Sequence, residues 1–596
     1  MAERKIFHVE KNLLGSRINK GVPLNRFIFF IILWVSTFGI FLWRITNLQL
    51  KDGGFFSALA SRNTVRIEIQ PQLRGVILDR NGEILADNRP RYVLVFDPQN
   101  GPWPDSFIPP SSWPKIKKPT QSSSLWPIVV TEVSPESALE SLNINLPSSY
   151  SIIPEASREY PQNEFLSHFI GYVGRINESQ YERARQGAQW KKAPYRPSDE
   201  IGQTGIEKIF ESDLRGTPRL VEHIVDARGN EVAQRVKQPG AHGATLVVSI
   251  NSKWQKALVE SYREHHGLLP GKEQPGAALI TDIRTGEILA YASFPTFNPR
   301  DLQSRRLFND VRSPLLDRVA QGTYAAGSVM KPLYALAALS EGTITARTTV
   351  TSTGGIRVGS RFFPDWRAGG HGTVDVKKAI AWSVNTFFYA IAGGWGNIEA
   401  LGPEKLSHWL KPFIEKTTGS NIPGERIGFV PTPEKRKERT GRDWFLGDTY
   451  NLGIGQGDLL VTPLQINMLT AYLASGEIRA PSVKKGLSFA QDIPFPLNRV
   501  TEDNLRVVRE GMRETVTNGS ARQLNSSQIK MAGKTGTAQW SSIHPPHAWF
   551  TGYSLNSKNE PWFAITVLVE RGKEGSTAAV PVVKSFLEKI TQENNN

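Results

Sequence analysis

An apolar run near the N-terminus constrains this chain more than any other feature of its sequence. Seventeen consecutive residues without a charged side chain run from Phe27 to Trp43, between Arg26 and Arg44. At about 1.5 Å per residue, a helix of that length measures roughly 26 Å and can cross the hydrocarbon core of a thin bilayer. A cleaved signal peptide is the alternative, but no A-x-A-like cleavage site follows the run. The sequence therefore predicts one retained transmembrane helix over residues 27–48.

The charges around this run predict its orientation. Residues 1–26 carry six basic side chains against two acidic ones: Arg4, Lys5, Lys11, Arg17, Lys20 and Arg26, against Glu3 and Glu10. Because basic segments stay on the cytoplasmic side of a membrane, we expect residues 1–26 to form a cytoplasmic tail. No second run of spanning length occurs. The expected protein is therefore a single-pass protein of the plasma (inner) membrane, with its remaining residues outside the cytoplasm.

Composition narrows the possible partners. A net charge of +15 favours an anionic neighbour such as membrane lipid or cell-wall polymer. Nucleic acid is not an expected partner, because the sequence has no nucleic-acid-binding module and no zinc-finger spacing. The chain has no cysteine, which excludes disulfides, thiolate chemistry and cysteine-ligated zinc.

Beyond the anchor, the order of strands and helices predicts two domains. Residues 49–243 mix strands, short helices and turns, and their Pro- and Ser-rich stretch over 99–150 is typical of a loop or a small inserted lobe. A new unit begins near Ala244, with a helix over 252–266, a hairpin over 275–294 and a helical block over about 328–470. Strands between 530 and 571 and a helix over 579–591 complete it. Because strands at both ends enclose the helices, residues 244–596 are predicted to form an α/β (α+β) domain, an antiparallel sheet with helices on its faces.

Three short motifs in this second domain contain the residues that carry chemistry. They are Ser328-Val329-Met330-Lys331, Ser383-Val384-Asn385 and Lys534-Thr535-Gly536-Thr537. Each motif is weak alone, because S-x-x-K, S-x-N and G-K-T recur by chance. A phosphate-binding loop around Lys534 is excluded, since the Walker pattern needs a glycine where Gln528 stands.

The first motif has the composition of an activated nucleophile. Ser328 precedes an apolar helix expected over 333–339, which places its hydroxyl in the first turn, where free N–H groups stabilise negative charge. Lys331 lies one turn further on, beside the Ser328 oxygen, and can act as the base that a serine needs to attack an amide. Lowering the pKa of a lysine from about 10.4 to about 7 requires roughly 4.6 kcal/mol against its charged form. Burial and a second cation, Lys534, are the expected sources.

The other two motifs supply hydrogen-bonding groups. Ser383 and Asn385 are expected to bridge the two lysines and to hold the substrate amide, and Ser383 to relay a proton to the leaving group. The strand that begins at Lys534 is expected to pair with an extended peptide at the sheet edge.

The substrate-binding residues predicted on that strand are Lys534, Thr535, Gly536 and Thr537. The backbone N–H groups of Ser328 and Thr537 are the expected oxyanion hole. The hydroxyls of Thr535 and Thr537 are placed to bind a carboxylate.

No cofactor or metal is predicted. Asp365, His371 and Asp375 could together bind a metal ion, but polar contacts within a loop are the favoured interpretation. His544 and His547 are separated by two prolines, which indicates a stiff loop rather than a ligand pair.

The three motifs together are the established signature of penicillin-binding proteins and serine β-lactamases. Further segments resemble class B (monofunctional) penicillin-binding proteins: RGVILDRNG over 74–82, REYP over 158–161, HFIGYVG over 168–174, GIEK over 205–208, LRGT over 214–217, GIGQG over 453–457 and TPLQ over 462–465. This resemblance covers nearly the whole chain. It implies a transpeptidase domain of the penicillin-binding, β-lactamase-like fold over 244–596, preceded by an elongated pedestal or dimerisation-type domain over 49–243.

Within class B, the chain resembles penicillin-binding protein 2 of the elongation machinery. The segments that carry this likeness are GHG over 370–372, SVNTFFY over 383–389 and TAQ over 537–539. Two positions depart from the usual pattern, Ala326 in place of proline and Asn251 in place of aspartate, and neither removes a catalytic group. Some relatives hold zinc through a cysteine near the second motif, so the absence of cysteine argues against that metal here.

The resemblance implies a reaction and a set of partners. Ser328 would attack the D-Ala-D-Ala end of a peptidoglycan stem peptide, release D-alanine and form an acyl-enzyme, which an amine from a neighbouring stem peptide would resolve into a cross-link. The implied partners are lipid-linked peptidoglycan, the plasma membrane, a SEDS-family glycosyltransferase and elongation-complex proteins.

The alternatives are a division-specific transpeptidase and a non-catalytic scaffold or sensor. A secreted β-lactamase would be a much shorter chain without the pedestal. A D,D-carboxypeptidase would differ only in preferring water as the acceptor.

Overall fold

The structure, a computed structural model, describes residues 24–51, 65–116, 118, 128–226, 231–269, 271–303, 305–492 and 494–595. The predicted cytoplasmic tail over 1–26 lies outside these residues except for its last three positions. Part of the predicted lobe over 99–150 also lies outside them. The chain divides into two compact units, one of residues up to Gln70 with Arg219–Pro239, and one of Pro71–Pro218 with Gly240–Asn596.

The helices are distributed along most of the chain. In chain order they are α1 Leu24–Thr46, α2 Pro135–Glu140, α3 Asn163–Ile170, α4 Glu178–Gln186, α5 Gly205–Ile209, α6 Glu211–Arg215, α7 Ser252–His266, α8 Arg305–Asn309, α9 Lys331–Ser340, α10 Val376–Ala381, α11 Asn385–Gly393, α12 Gly402–Ile414, α13 Pro433–Thr440, α14 Leu446–Gly453, α15 Pro463–Ser475, α16 Glu502–Thr517 and α17 Gly575–Asn595.

The strands fall into several sheets. In chain order they are β1 Val65–Gln70, β2 Ile77–Leu78, β3 Ile84–Phe96, β4 Ile128–Val133, β5 Tyr150–Glu159, β6 Val173–Arg175, β7 Glu200–Gly202, β8 Arg219–Val225, β9 Glu231–Gln238, β10 Leu246–Val247, β11 Gly276–Asp282, β12 Ile288–Phe294, β13 Tyr324–Ala325, β14 Thr349–Ser352, β15 Gly355–Val358, β16 Arg361–Pro364, β17 Gly372–Asp375, β18 Leu460–Val461, β19 Lys530–Ala538, β20 His547–Leu555 and β21 Pro561–Val569.

The first unit combines an apolar helix with a small sheet. α1 stands where the sequence predicts the membrane anchor, and a π-helical turn over Asn47–Lys51 extends it. Over Leu24–Leu50 the mean hydropathy reaches 2.1 and none of the helix is buried within the structure, as a lipid-facing helix requires. The sheet has the order β1-β8-β9 and is antiparallel throughout.

The N-terminal part of the second unit is built on the long strand β3. β3 forms a hairpin with β2 and also pairs with β4 and β5. Gly82 has φ +91° in the turn of this hairpin, a backbone conformation that favours glycine, which explains the predicted Asn-Gly turn. β10 pairs in parallel with β2. The strand predicted near Ala244 is therefore short and belongs to this sheet rather than to the C-terminal one.

Buried ion pairs join three of the family-like segments in this region. Arg74 Nε donates to Glu207 at 2.6 Å and Arg158 Nε donates to the other oxygen of the same carboxylate at 2.7 Å. Arg74 also reaches Glu211 at 2.7 Å. The Glu207 side chain is fully buried, so both of its oxygens depend on these guanidinium groups. Removing one member of such a network leaves a buried charge uncompensated.

The C-terminal part of the second unit contains the predicted antiparallel sheet. Its order is β12-β11-β21-β20-β19, which makes β19 an end strand. α7 and α17 pack on one face through a common apolar cluster, and α15 crosses the other face against β11, β20 and β21. α7 begins and ends where the sequence predicts, because the Asn251 side chain caps it by accepting from Lys253 N at 3.1 Å and Trp254 N at 3.2 Å.

The predicted helical block over 328–470 is interrupted by two antiparallel strand pairs, β14 with β17 and, between them in the chain, the hairpin of β15 with β16. The prediction of a mainly helical segment is therefore wrong between Thr349 and Asp375. β14 alternates exposed and buried side chains, as a half-buried strand does. Gly354, in the connection between β14 and β15, and Gly355, the first residue of β15, have φ +106° and +149°, so the turn depends on glycine.

Candidate active site

Ser328 lies in a 3-10 turn over Gly327–Met330, and α9 begins three residues later at Lys331. The sequence predicted the first turn of an α-helix here. Pro332 explains why the α-helix starts where it does, since proline is favoured in the first helical turn. Ser328 is half-buried, whereas its neighbours Gly327 and Val329 are buried. Its side chain is therefore the accessible part of this turn.

Glycines bring the third motif against this turn. Gly327 has φ +61°, and a Cβ there would lie 2.7 Å from the carbonyl oxygen of Thr537. A Cβ on Gly536 would lie 2.9 Å from Val329 Cγ1. Larger residues at these two positions would push β19 and the Ser328 turn apart. The structure therefore places the K-T-G-T strand against the turn that holds Ser328.

Lys331 joins the first motif to the second. Its side chain is fully buried, and Nζ donates to Ser383 O at 2.8 Å, Ser383 Oγ at 3.2 Å and Asn385 Oδ1 at 2.6 Å. Burial lowers the pKa of Lys331 to about 7, although the negative charge of Asp365 opposes this shift. A buried amine with this pKa can both accept and return a proton near neutral pH.

Ser383 adopts a backbone conformation that is uncommon outside glycine. Its φ is +56°, which costs about 1–3 kcal/mol for a residue with a Cβ. The residue connects α10 to α11, and its unusual backbone accompanies a carbonyl that accepts from Lys331. The strained backbone of Ser383 thus lies where its carbonyl accepts a hydrogen bond from the buried Lys331 amine.

Lys534 is fully buried beside the first two motifs. Its Nζ donates to Thr535 O at 2.9 Å. Burial and repulsion from Lys331 hold the pKa of Lys534 well below its ordinary range. The sequence predicted that burial and Lys534 would together lower the pKa of Lys331. Burial is the cause that lowers it, and repulsion from Lys331 contributes to the low pKa of Lys534 instead.

Thr537 presents its backbone to the side on which Ser328 lies. Its carbonyl oxygen faces Gly327 and accepts from Gln456 Nε2 at 3.0 Å. In an antiparallel strand, the N–H and C=O of one residue point to the same side, so the Thr537 N–H is directed there too. Thr537 is exposed, whereas the Thr535 hydroxyl lies 2.6 Å from the Ser520 hydroxyl.

Two residues next to the motifs were not assigned a role from the sequence. Gln456 bridges the end of β19, because it donates to Thr537 O and accepts from Gln539 N at 3.2 Å. Asp365 accepts hydrogen bonds at the start of α11, next to Asn385. The GIGQG segment contains the first of these residues, but its spacing alone predicts only close packing.

The three residues considered for a metal ion do not converge. Asp375 caps α10 by accepting from Lys378 N at 2.9 Å, while Asp365 and His371 lie 3.7 Å apart. Over the described parts of the chain, no three His, Asp or Glu side chains are grouped so that they could hold a metal ion.

Comparisons with known proteins agree with this arrangement. Residues 276–588 match the family described as "Penicillin binding protein transpeptidase domain", and residues 69–248 match "Penicillin-binding Protein dimerisation domain". The chain is 28% identical to the peptidoglycan D,D-transpeptidase MrdA of Haemophilus influenzae over 92% of its own length and 89% of the relative's. It is 30% identical to MrdA of Acinetobacter baumannii over 90% of its own length and 83% of the relative's.

Solved structures give the same result. The chain is similar to penicillin-binding protein 2 (PBP2) of Helicobacter pylori, with 28% identity, a TM-score of 0.74 and coverage of 89% of this chain and 100% of the other. PBP2 of Pseudomonas aeruginosa gives 28% identity, a TM-score of 0.65 and coverage of 88% and 96%. The chain therefore belongs to the penicillin-binding protein family, as a class B member with a dimerisation domain and a transpeptidase domain that most resembles PBP2.

Proposed function

We propose that this chain is a peptidoglycan D,D-transpeptidase that cross-links stem peptides during lateral wall elongation and forms an acyl-enzyme on Ser328. One observation carries the proposal: the Lys331 amine binds Ser383 and Asn385, while Gly536 packs against the turn that holds Ser328. Groups from three distant segments thus meet at the turn that holds Ser328. This is the arrangement that acyl transfer to serine needs.

The first half-reaction follows from the groups around Ser328. Ser328 Oγ attacks the carbonyl carbon of the penultimate D-alanine, and its proton passes to neutral Lys331. The C–N bond to the last D-alanine then breaks, and the leaving amine takes a proton through Ser383, which is hydrogen-bonded to Lys331. D-Alanine departs and the peptide remains esterified to Ser328. A pKa of about 7 at Lys331 allows both proton transfers near neutral pH.

The tetrahedral intermediate carries a negative oxygen that needs donors. We assign these to the backbone N–H groups of Ser328 and Thr537. Each such donor is typically worth about 2.7–4 kcal/mol in the transition state. The edge of β19 from Lys534 to Thr537 is proposed to pair with the extended donor peptide, and the hydroxyls of Thr535 and Thr537 to bind its terminal carboxylate.

The second half-reaction transfers the acyl group. An amine of another stem peptide attacks the ester carbon, Lys331 takes the proton of that amine, and Ser328 Oγ leaves with a proton. Attack by water instead would release a shortened peptide, which is the D,D-carboxypeptidase reaction.

We also propose the domain boundaries and topology given by the sequence. Residues 1–26 are the cytoplasmic tail, 27–48 the transmembrane helix, 49–243 the pedestal and 244–596 the transpeptidase domain, outside the cytoplasm. The family matches over 69–248 and 276–588 and the apolar helix α1 support this division.

The proposed partners are elongation-complex proteins, including a SEDS-family glycosyltransferase. Two relatives support them. H. pylori PBP2 was solved in complex with MreC, and a chain with 26% identity and a TM-score of 0.68 comes from a study of how a peptidoglycan synthase complex coordinates polymerization and crosslinking.

Labelling with a fluorescent penicillin tests the proposed nucleophile. The β-lactam acylates the same serine as the peptide, so Ser328→Ala should abolish the covalent adduct in membranes that contain the full chain. Ser340→Ala is a matched control, because Ser340 ends α9, which starts at Lys331, and has no proposed role. Labelling that survives Ser328→Ala would overturn the assignment.

A further inference from the structure

We infer that Asp365 and its neighbour Trp366 form a positioning device for the second motif, and that the Asp365 carboxylate is the negative charge that faces the Lys331 amine. The inference rests on the proposed function, since it assigns the second motif to the transpeptidase site. Neither residue belongs to the three motifs, and neither is proposed to touch the substrate.

The Asp365 carboxylate holds the start of α11. It accepts from Asn385 N at 3.2 Å, from Thr386 N at 3.0 Å and from Thr386 Oγ1 at 2.7 Å. Ser352 Oγ adds a fourth bond at 3.2 Å. The first N–H groups of a helix have no partner within the helix, and the helix dipole favours a negative charge there. Because Asn385 also binds Lys331, the carboxylate fixes a residue that touches the amine.

Trp366 holds the other side of the same motif. Its indole N–H donates to Trp382 O at 3.0 Å, and Trp382 is the residue before Ser383. Two adjacent residues, Asp365 and Trp366, therefore bind the backbone on both sides of Ser383, at Trp382 before it and at Asn385 two residues after it. A non-glycine residue persists at positive φ only when its surroundings fix it. This pair of contacts supplies that restraint at Ser383.

Asp365 also acts on the Lys331 amine through its charge. The negative charge of Asp365 attracts the Lys331 amine and opposes the effect of burial on its pKa. Lys331 in turn helps to lower the pKa of Lys534. His371 Nε2 lies 3.7 Å from Asp365 and is buried without a hydrogen-bond partner. Burial lowers the pKa of His371 despite the attraction of Asp365, with Arg367 acting in the same direction as burial. His371 is thus neutral near pH 7 and leaves the Asp365 charge uncompensated.

The state of Asp365 itself is consistent with this role. Burial disfavours its charge, but the hydrogen bonds from Thr386 and Asn385 and the positive charge of Lys331 together keep the pKa of Asp365 below its usual value. Tyr389, the other titratable group that responds to Asp365, has its pKa raised by burial and by this carboxylate, so it stays neutral. Asp365 is therefore ionised wherever the enzyme would work.

The test compares acylation rates across pH in three variants of the full chain in detergent micelles, with a fluorescent penicillin as the probe. Asp365→Asn removes the charge and half of the acceptor capacity, and Trp366→Phe removes only the indole donor. Asp375→Asn is the matched control, because Asp375 is also a carboxylate that caps a helix but has no contact with the second motif.

We expect the fluorescent penicillin to acylate the Asp365→Asn variant at least tenfold more slowly than the wild type at neutral pH. We also expect the acidic limb of the pH–rate profile of this variant to move to lower pH. The direction follows because loss of the carboxylate removes an influence that raises the pKa of Lys331. Trp366→Phe should be acylated more slowly than the wild type, with the acidic limb of its pH–rate profile unchanged. Asp375→Asn should match the wild type in both rate and pH dependence.

Two results would overturn the inference. If Asp365→Asn acylates more slowly at every pH but keeps the acidic limb of its pH–rate profile at the wild-type position, Asp365 has only a structural role. If Trp366→Phe acylates at the wild-type rate, the indole hydrogen bond does not restrain the Ser383 backbone. The second result remains decisive if Asp365→Asn does not fold. If the wild-type chain itself is not acylated, the proposed function fails instead, so the two failures are distinguishable.

Discussion

The pH dependence of acylation follows directly from the environment of Lys331. The neutral amine is the base, so acylation should rise as pH increases through the pKa of Lys331. With that pKa at about 7, the neutral fraction is about 9% at pH 6 and about 91% at pH 8. The rate should therefore increase about tenfold over this interval and then level off.

An ordinary lysine would behave differently. With a pKa of about 10.4, the neutral fraction at pH 8 would be only about 0.4%, and the rate would still rise about tenfold for each pH unit. Stopped-flow measurement of the second-order acylation rate with a fluorescent penicillin, from pH 5 to pH 9, separates the two cases. Lys331→Ala should be strongly impaired and should lose the inflection near pH 7. A rate that climbs with unit slope to pH 9 in the wild type would refute the argument that burial deprotonates this amine.

Further predictions follow from packing, charge and cell shape. Gly536→Ala should abolish penicillin labelling, because its Cβ would lie 2.9 Å from Val329 Cγ1, whereas Gly369→Ala, with nothing within 4 Å of its Cβ, should label normally. Glu207→Gln should lower the free energy of unfolding by about 3–5 kcal/mol, because the buried Arg158 guanidinium loses its carboxylate partner while Arg74 keeps Glu211. An unchanged denaturant midpoint would contradict this. Asn251→Ala should cost about 1 kcal/mol in the same assay through loss of the α7 cap. Depletion of the protein should give rounded cells, and filaments would indicate a division role instead.

The parts of the fold that local signals specify could be predicted from the sequence. α7 has a capping residue, Asn251, and an apolar face, and both of its ends are where the sequence places them. β11, β12, β20 and β21 are short, mainly apolar runs, and together with β19 they form the predicted antiparallel sheet. The strands between Thr349 and Asp375 were missed, because strands of only four residues contain too few alternations to give a periodic signal.

In the candidate site, too, the residues with a local sequence signal could be predicted and the others could not. The reactive side chains could be identified because serine, lysine and asparagine occur at recognisable spacings. Asp365 could not be assigned a role, since its partners are backbone N–H groups about 20 residues further along the chain, and backbone groups leave no signature in a sequence. The sequence indicated that Lys331 and Lys534 lie close together, but only the folded arrangement shows that burial lowers the pKa of Lys331 and is the larger cause of the low pKa of Lys534.

The most direct test of the account is to locate the covalent bond that a β-lactam forms with this protein. The purified full chain is treated with benzylpenicillin, digested and sequenced by tandem mass spectrometry. The account predicts one added penicilloyl group, on the peptide that contains Ser328 and on that residue. A stable adduct on any other side chain, with Ser328 unmodified, would contradict it.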